Sequence, residues 1–317
     1  MTHITAPSDG CPAAILHADG EALDAIDADA LRALIEEHGA VIIRGAETSA
    51  AGFGAMAKQL CSTSVFNESP GRESYEGGMQ SVNLGDDPFP LHPELSREPW
   101  RPDLAMFACL SPPGIGGQTT ICDGAALVDA LPDDLRETLD GRELIYLREA
   151  GPETLQYWLG SPDPDDAALE NSPETCPYFF RRSGGRVIRG FRRPVFEPTL
   201  FGDRRAFGNF LFFARDYLRN ERNPVLEDGS VFPADWLDTI RSTARRLSYA
   251  HAWQAGDVIM LDNSRFMHGR RAIVMADERR IATYFGYLKG IDRRALDPVD
   301  PPWRKTDFVP PEVPEAN

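Results

Sequence analysis

Cysteine is scarce in this chain, and what there is does not pair up. Five occur (Cys11, Cys61, Cys109, Cys122 and Cys176), an odd number with no CxxC spacing. That argues against a disulfide scaffold and against a zinc ribbon. Basic charge is also short: 33 Lys and Arg against 49 Asp and Glu give a formal net charge of −16. So acidic a surface repels the backbone of nucleic acids and anionic membranes, so neither is expected as a partner. No apolar stretch approaches the roughly 18 residues of a membrane-spanning helix. The first residues, MTHITAPSDG, lack the basic-then-apolar pattern of a secretory signal. The expected setting is soluble, reducing and cytoplasmic. The HExxH pattern of a zinc hydrolase is missing as well.

What is present is a sizeable apolar fraction, 42% of 317 residues, enough for a substantial core. The first segment, to about Ser49, reads as α/β. Asp27 or Asp29 caps a helix through ALRALIEEHG, closed by Gly39, and Ala40–Arg44 follows as a strand. A second helix is expected from Ala50 to Leu60. From Met79 onward short strand-like runs dominate: 79–84, 104–110, 118–123 and 143–149, then 246–253, 258–262, 271–275 and 280–288. Short strands separated by turn residues suggest a β-sandwich or barrel with flanking helices, notably at 233–246.

Residues 160–235 differ, with many Gly, Pro and charged residues and few clean strands. They read as a large insertion or lid within one unit spanning 1–317, and 297–317 as an extended or frayed tail. An acidic loop, 163–174, precedes a stretch, 181–205, that holds eight arginines and only two acids, Glu197 and Asp203. Two readings stand. The arginines recognise an anionic substrate group, or they pair with the acidic loop and close a lid; pairing is preferred. Phe191, Phe207, Phe210, Phe212 and Phe213 lie in the same insertion, where some line a pocket and most are core.

Six histidines occur, and two stand in informative surroundings. His92 lies in Pro90-Leu-His-Pro-Glu-Leu95, with Glu94 two residues on. Side chains alternate in extended chain, so an imidazole and a carboxylate fall on the same side. Pro93 between them disfavours helix at His92. His268 follows the strand VIMLD, within Asp262-Asn-Ser-Arg-Phe-Met-His-Gly269. Two imidazoles and one carboxylate on one face of an octahedral ion leave three positions open, the facial triad of non-haem Fe(II) oxygenases. An isolated HxE is common by chance, and His3, His17, His38 and His251 read as structural or surface residues.

The surroundings of both histidines resemble the taurine-dioxygenase and clavaminate-synthase-like family of Fe(II)- and 2-oxoglutarate-dependent oxygenases, from about Ala40 to Leu288. One block runs LHPELS (91–96), LAMFACLSPP (104–113) and GGQTT (116–120); the other runs WQAGDVIMLDN (253–263), His268 and Arg279-Arg280-Ile281. The resemblance implies a double-stranded β-helix, or jelly roll, with His92, Glu94 and His268 as iron ligands and Fe(II), 2-oxoglutarate and O₂ as cofactor and cosubstrates. It implies that Thr119, 119 − 92 = 27 positions after the first histidine, contacts a carboxylate of 2-oxoglutarate. A later arginine pairs with its far carboxylate, as a planar guanidinium can; position favours Arg280, directly before the apolar strand, over Arg279. Pro93 departs from the asparagine often found there, and Glu94 argues against a halogenase. The expected activity is hydroxylation of an unactivated C–H of an amino-acid-like or natural-product intermediate, free or bound to a carrier protein. Desaturation, epoxidation and cyclisation use the same ligands, and a metal-free jelly-roll binding module uses the same strands.

Overall fold

A computed structural model describes residues 3–65, 74–75, 79–81, 85–275 and 279–311. Two sheets frame the molecule. The larger has nine strands, ordered His3–Thr5, Ala14–His17, Ala40–Arg44, Val258–Asp262, Leu104–Ser111, Arg280–Leu288, Met79–Ser81 and Ser74–Tyr75, with Cys61–Ser64 also pairing with Arg280–Leu288. The smaller has four, ordered Tyr249–His251, Thr119–Asp123, Phe266–Arg270 and Phe89–His92. Together they make the expected jelly roll.

The central strands of the large sheet are almost wholly apolar because both faces are covered. Leu104, Met106, Ala108, Met260, Ala282 and Tyr284 face outward into a cluster with Leu31, Ile35, Phe53 and Met56 from two helices. Ala105, Phe107, Cys109, Ile259, Leu261, Ile281 and Phe285 face inward toward the small sheet. The outer helices start and stop where the sequence directs. Ala28–His38 begins on Asp27, whose carboxylate accepts from Asp29 N, and ends on Gly39 at φ 76°, a conformation glycine adopts without a Cβ penalty. Ala50–Leu60 begins on Ser49, which accepts from Gly52 N.

The insertion is more regular than its composition suggests. Phe179–Ser183 and Arg186–Pro194 form a hairpin that pairs with Glu143–Glu149 and, beyond it, Val225–Leu226, giving a third sheet of four strands. Its arginines fall on both faces: Arg186 and Arg192 are exposed, while Arg189 and Arg193 are buried on the side of Val187 and Phe191. The pairing expected between these arginines and the 163–174 loop is confined to Arg182, which bonds Asp166 at 2.7 Å. The others take acids from elsewhere: Arg186 takes Glu149, Arg192 takes Glu143, Arg204 takes Asp129 and Arg205 takes Asp140.

The described part of the tail is anchored at residues 303–308. Trp303 is buried, Arg304 bonds both oxygens of Asp103 at 2.9 Å, and Phe308 packs on Trp100 at 5.8 Å. Residues 82–84 of the expected 79–84 strand lie outside the described residues, as do 276–278 and 312–317.

Candidate metal centre and its surroundings

Strand pairing in the small sheet assembles the site. Thr119 stands opposite both His251 and Arg270, Ile121 opposite His268, and His268 opposite His92. Residues more than a hundred positions apart in the chain therefore converge through backbone hydrogen bonds alone. Gly269 lets the strands close up: a Cβ there would lie 2.7 Å from Phe89 O and 2.8 Å from Thr120 Oγ1.

His92, Glu94 and His268 each offer one donor atom, and these lie within 4.8 Å of one another. The imidazole rings of His92 and His268 are 4.6 Å apart, centre to centre. His268 Nε2 is 3.6 Å from Glu94 Oε2, and its Nδ1 is buried with no hydrogen-bond partner. His92 Nδ1 lies 2.8 Å from Pro90 O. A carbonyl only accepts, so the proton sits on Nδ1 and the Nε2 lone pair is left for a metal, the usual arrangement behind a ligating histidine. Two neutral imidazoles and a buried carboxylate suit a divalent ion such as Fe(II).

Glu94 is 2% exposed and is placed by its backbone. Asn263 Oδ1 accepts from Glu94 N at 2.8 Å, while Asn263 Nδ2 donates to Glu94 O and to Pro102 O, both at 3.0 Å. This side-chain amide clamps the ligand loop to the end of Val258–Asp262. Directly after Glu94, Leu95 has φ 51°, a strained conformation for a branched side chain that persists only where the surroundings impose it. In the sequence Asn263 stands only as the last residue of the WQAGDVIMLDN block, with no local signal for this role.

Thr119 is 6% exposed, and its Oγ1 accepts from Trp253 Nε1 at 3.1 Å. With that lone pair used, the hydroxyl proton is free to donate to an acid. Trp253 packs edge-on to His251 at 4.9 Å, and His251 bonds Asp257 at 2.8 Å. Arg44 bonds the same aspartate at 2.9 Å. Burial alone would raise the Asp257 carboxyl, but His251, Arg44 and the Gln254 N–H together hold it below the usual carboxylate range. His251, read from sequence as structural, therefore sits in the support beneath Thr119.

The two candidate arginines separate. Arg280 is exposed, on the side of its strand shared by Ala282 and Tyr284, which face the outer helices. Arg279, directly before the strand, is partly buried. Burial, and next the charge of Arg270, bring the Arg279 guanidinium down to about 10. Arg270, opposite Thr119, is 6% exposed and donates to Gly85 O at 2.8 Å and Asp87 O at 2.6 Å. Arg279 is thus the more buried of the two and the one whose charge meets that of Arg270.

An aromatic wall borders His92. Phe213 packs on its ring at 4.9 Å, Phe210 stacks on Phe213 at 5.2 Å, and Phe89 stacks on Tyr217 at 4.7 Å. Phe213 begins a π-helical turn, Phe213–Tyr217, a wide turn that recurs at functional sites. Phe191, Phe207, Phe210 and Phe212 are core residues, as expected for most of that group.

Comparison with known proteins agrees with this geometry. The TauD, TfdA family of taurine catabolism dioxygenases matches residues 5–284. An alpha-ketoglutarate-dependent 2,4-dichlorophenoxyacetate dioxygenase of Cupriavidus pinatubonensis is 29% identical over 174 residues, 54% of this chain and 51% of that protein. The match thus spans about half the length of that relative. An enduracididine beta-hydroxylase of Streptomyces hygroscopicus is 26% identical over 61% of this chain and 51% of its own length. Among solved structures, PvcB of Pseudomonas aeruginosa superposes with a TM-score of 0.58 at 14% identity, covering 90% of this chain and 91% of that one. AAD-2, solved with Mn(II) and N-oxalylglycine, gives 0.58 at 14% identity, covering 93% and 100%. At that identity the likeness speaks for the fold. With the family match running through both sheets and all three converging ligands, the chain belongs to the TauD/TfdA family.

Proposed function

We propose that the protein is an Fe(II)- and 2-oxoglutarate-dependent oxygenase that hydroxylates an unactivated C–H bond of an amino-acid-like or natural-product intermediate. The observation that carries this is the convergence of His92, Glu94 and His268, with the His92 tautomer set by Pro90 O. Those three side chains hold the metal and leave one face of it open. Thr119 donates its hydroxyl to one end of 2-oxoglutarate, with Trp253 fixing the hydroxyl's orientation. Arg279, with Arg270 beside it, takes the far carboxylate through a planar fork of N–H donors. When bound, iron with 2-oxoglutarate and O₂ supplies the oxidising power that no side chain here can.

The chain's own contribution is placement and dryness. Asn263 fixes Glu94, the small-sheet register fixes both imidazoles, and the Phe210–Phe213 wall keeps water from the open face. Relatives named for dichlorophenoxyacetate, pentalenolactone F and enduracididine support a small-molecule substrate, free or carrier-bound.

The test is succinate release from 2-oxoglutarate under air, with amino acids and their peptide- or carrier-bound forms as candidates. Stimulated turnover with a hydroxylated product is expected. Stimulation only by sulfonates or plain fatty acids would sink the amino-acid reading.

A further inference from the structure

Just beyond the ligand loop, three guanidinium groups gather on one carboxylate. Arg97 and Glu98 follow Glu94 within the same loop, Arg148 comes from Glu143–Glu149 and Arg189 from Arg186–Pro194. Glu98 Oε1 accepts from Arg148 Nη1 at 2.9 Å and lies 3.7 Å from Arg97 Nε, while its Oε2 lies 3.7 Å from Arg189 Nη2. Three positive charges face one negative, an excess of two. The side chains of Arg189 and Glu98 are only 4% and 6% exposed. Arg97 and Arg148 reach water, with side chains 38% and 22% exposed, whereas Arg189 does not and depends on what the protein or a ligand sets against it.

Arg189 keeps N–H groups unpaired beside Glu98, whose Oε2 also accepts no hydrogen bond among the described residues. The Arg189 plane stacks on Tyr178 at 4.4 Å. Its Nε and Nη2 are buried and hydrogen-bonded to no group of the described residues, and neither is Tyr178 Oη. Stacking satisfies the face of a guanidinium, not its N–H edge. Arg97 links this place to the metal centre. Its guanidinium lies 5.4 Å from the centre of the Phe210 ring, and Phe210 leads through Phe213 to His92. Burial foremost, then Arg148, lowers the Arg97 pKa, while the charges of Glu98 and Glu94 oppose the fall. Arg97 therefore feels both the triad and the arginine cluster. None of these residues is needed for the 2-oxoglutarate contacts proposed above.

We infer that Arg97 and Arg189, braced by Glu98 and Arg148, bind the carboxylate of the substrate, which then lies along the Phe210–Phe213 wall with its far end toward His92. The inference deepens the proposed function and rests on it. A carboxylate suits the place because it is planar, accepts through two edges, and meets paired guanidinium forks in plane. The substrate class is then a small organic acid oxidised at a carbon remote from its carboxylate.

The experiment uses whole enzyme loaded anaerobically with Fe(II) and 2-oxoglutarate. It is titrated calorimetrically with phenoxyacetate and the common α-amino acids, each beside its primary amide. At least one acid is expected to bind about tenfold or more tightly than its amide, the effect of a charge-assisted contact. Arg97→Gln should abolish that preference, and Arg97→Lys should restore part of it. Arg97 is partly exposed, so its variants test the idea even if Arg189→Met fails to fold. Acids binding no better than amides, or a preference surviving in Arg97→Gln, would overturn the inference. The visible band of the iron–2-oxoglutarate chelate is recorded in the same samples. Its absence from wild type would fail the oxygenase reading itself; its presence without acid preference would fail the carboxylate site alone.

Discussion

The two sheets of this jelly roll are built from the same kind of strand but filled differently. The large sheet is buried on both faces, so its central strands read MFAC, VIML and IATYF with almost no polar position. The small sheet carries His92, Thr119, His268 and Arg270, spaced so that each faces a neighbour in register. A strand pressed between a core and a layer of helices has no position to spare for chemistry. A strand whose inner face meets a cavity does. The large sheet should therefore govern stability and the small sheet binding, and variants in each should separate the two.

The largest separation is expected from His268→Ala. Removing a ligand should weaken Fe(II) binding by well over about 100-fold, since losing a supporting partner alone costs 10–100-fold, while thermal unfolding of the metal-free protein shifts little. Metal titration beside a melting curve checks both. Phe53→Ala is the mirror image. This fully buried ring on the outer side of the large sheet should cost about 3–5 kcal/mol in urea unfolding, and the folded fraction should bind iron normally. If iron affinity falls in parallel, the division between sheets is wrong.

Arg279→Gln should weaken 2-oxoglutarate about 10- to 100-fold through a lost charged contact, and Arg280→Gln should leave it within about twofold, as a surface change does. The opposite order would restore the reading from position. Asn263→Ala should lower stability by about 1–3 kcal/mol, because two buried backbone groups of the ligand loop lose their partner, and should reduce iron affinity as Glu94 drifts. The smallest effect belongs to Trp253→Phe. It deletes one neutral hydrogen bond, worth about 1 kcal/mol, and should weaken 2-oxoglutarate about fivefold in a binding titration with no change in iron affinity.

Much of this was legible. The alternation of His92 and Glu94, the apolar runs, and the caps at Asp27 and Gly39 are local signals that need no tertiary knowledge. Adjacency to the strand points to Arg280, and only burial, which the sequence does not give, separates the exposed Arg280 from the partly buried Arg279. The hairpin Phe179–Pro194 was hidden because arginine occurs on both of its faces, buried at Arg189 and Arg193 and exposed at Arg186 and Arg192, which masks the period of two. Partners were beyond reach for another reason. Arg189 and Glu98 are 91 positions apart, and Arg304 and Asp103 are 201 apart; no local pattern encodes such meetings. The tail's proline content spoke for extension, while Trp303 and Arg304 anchor it.

The most direct measurement is an anaerobic titration of the metal-free protein with Fe(II) and then 2-oxoglutarate, followed by the weak visible charge-transfer absorption of the chelate. The account predicts a band in the wild type that is lost in both His92→Ala and His268→Ala. A folded, iron-replete wild type without the band, or a band that persists in either variant, would contradict it.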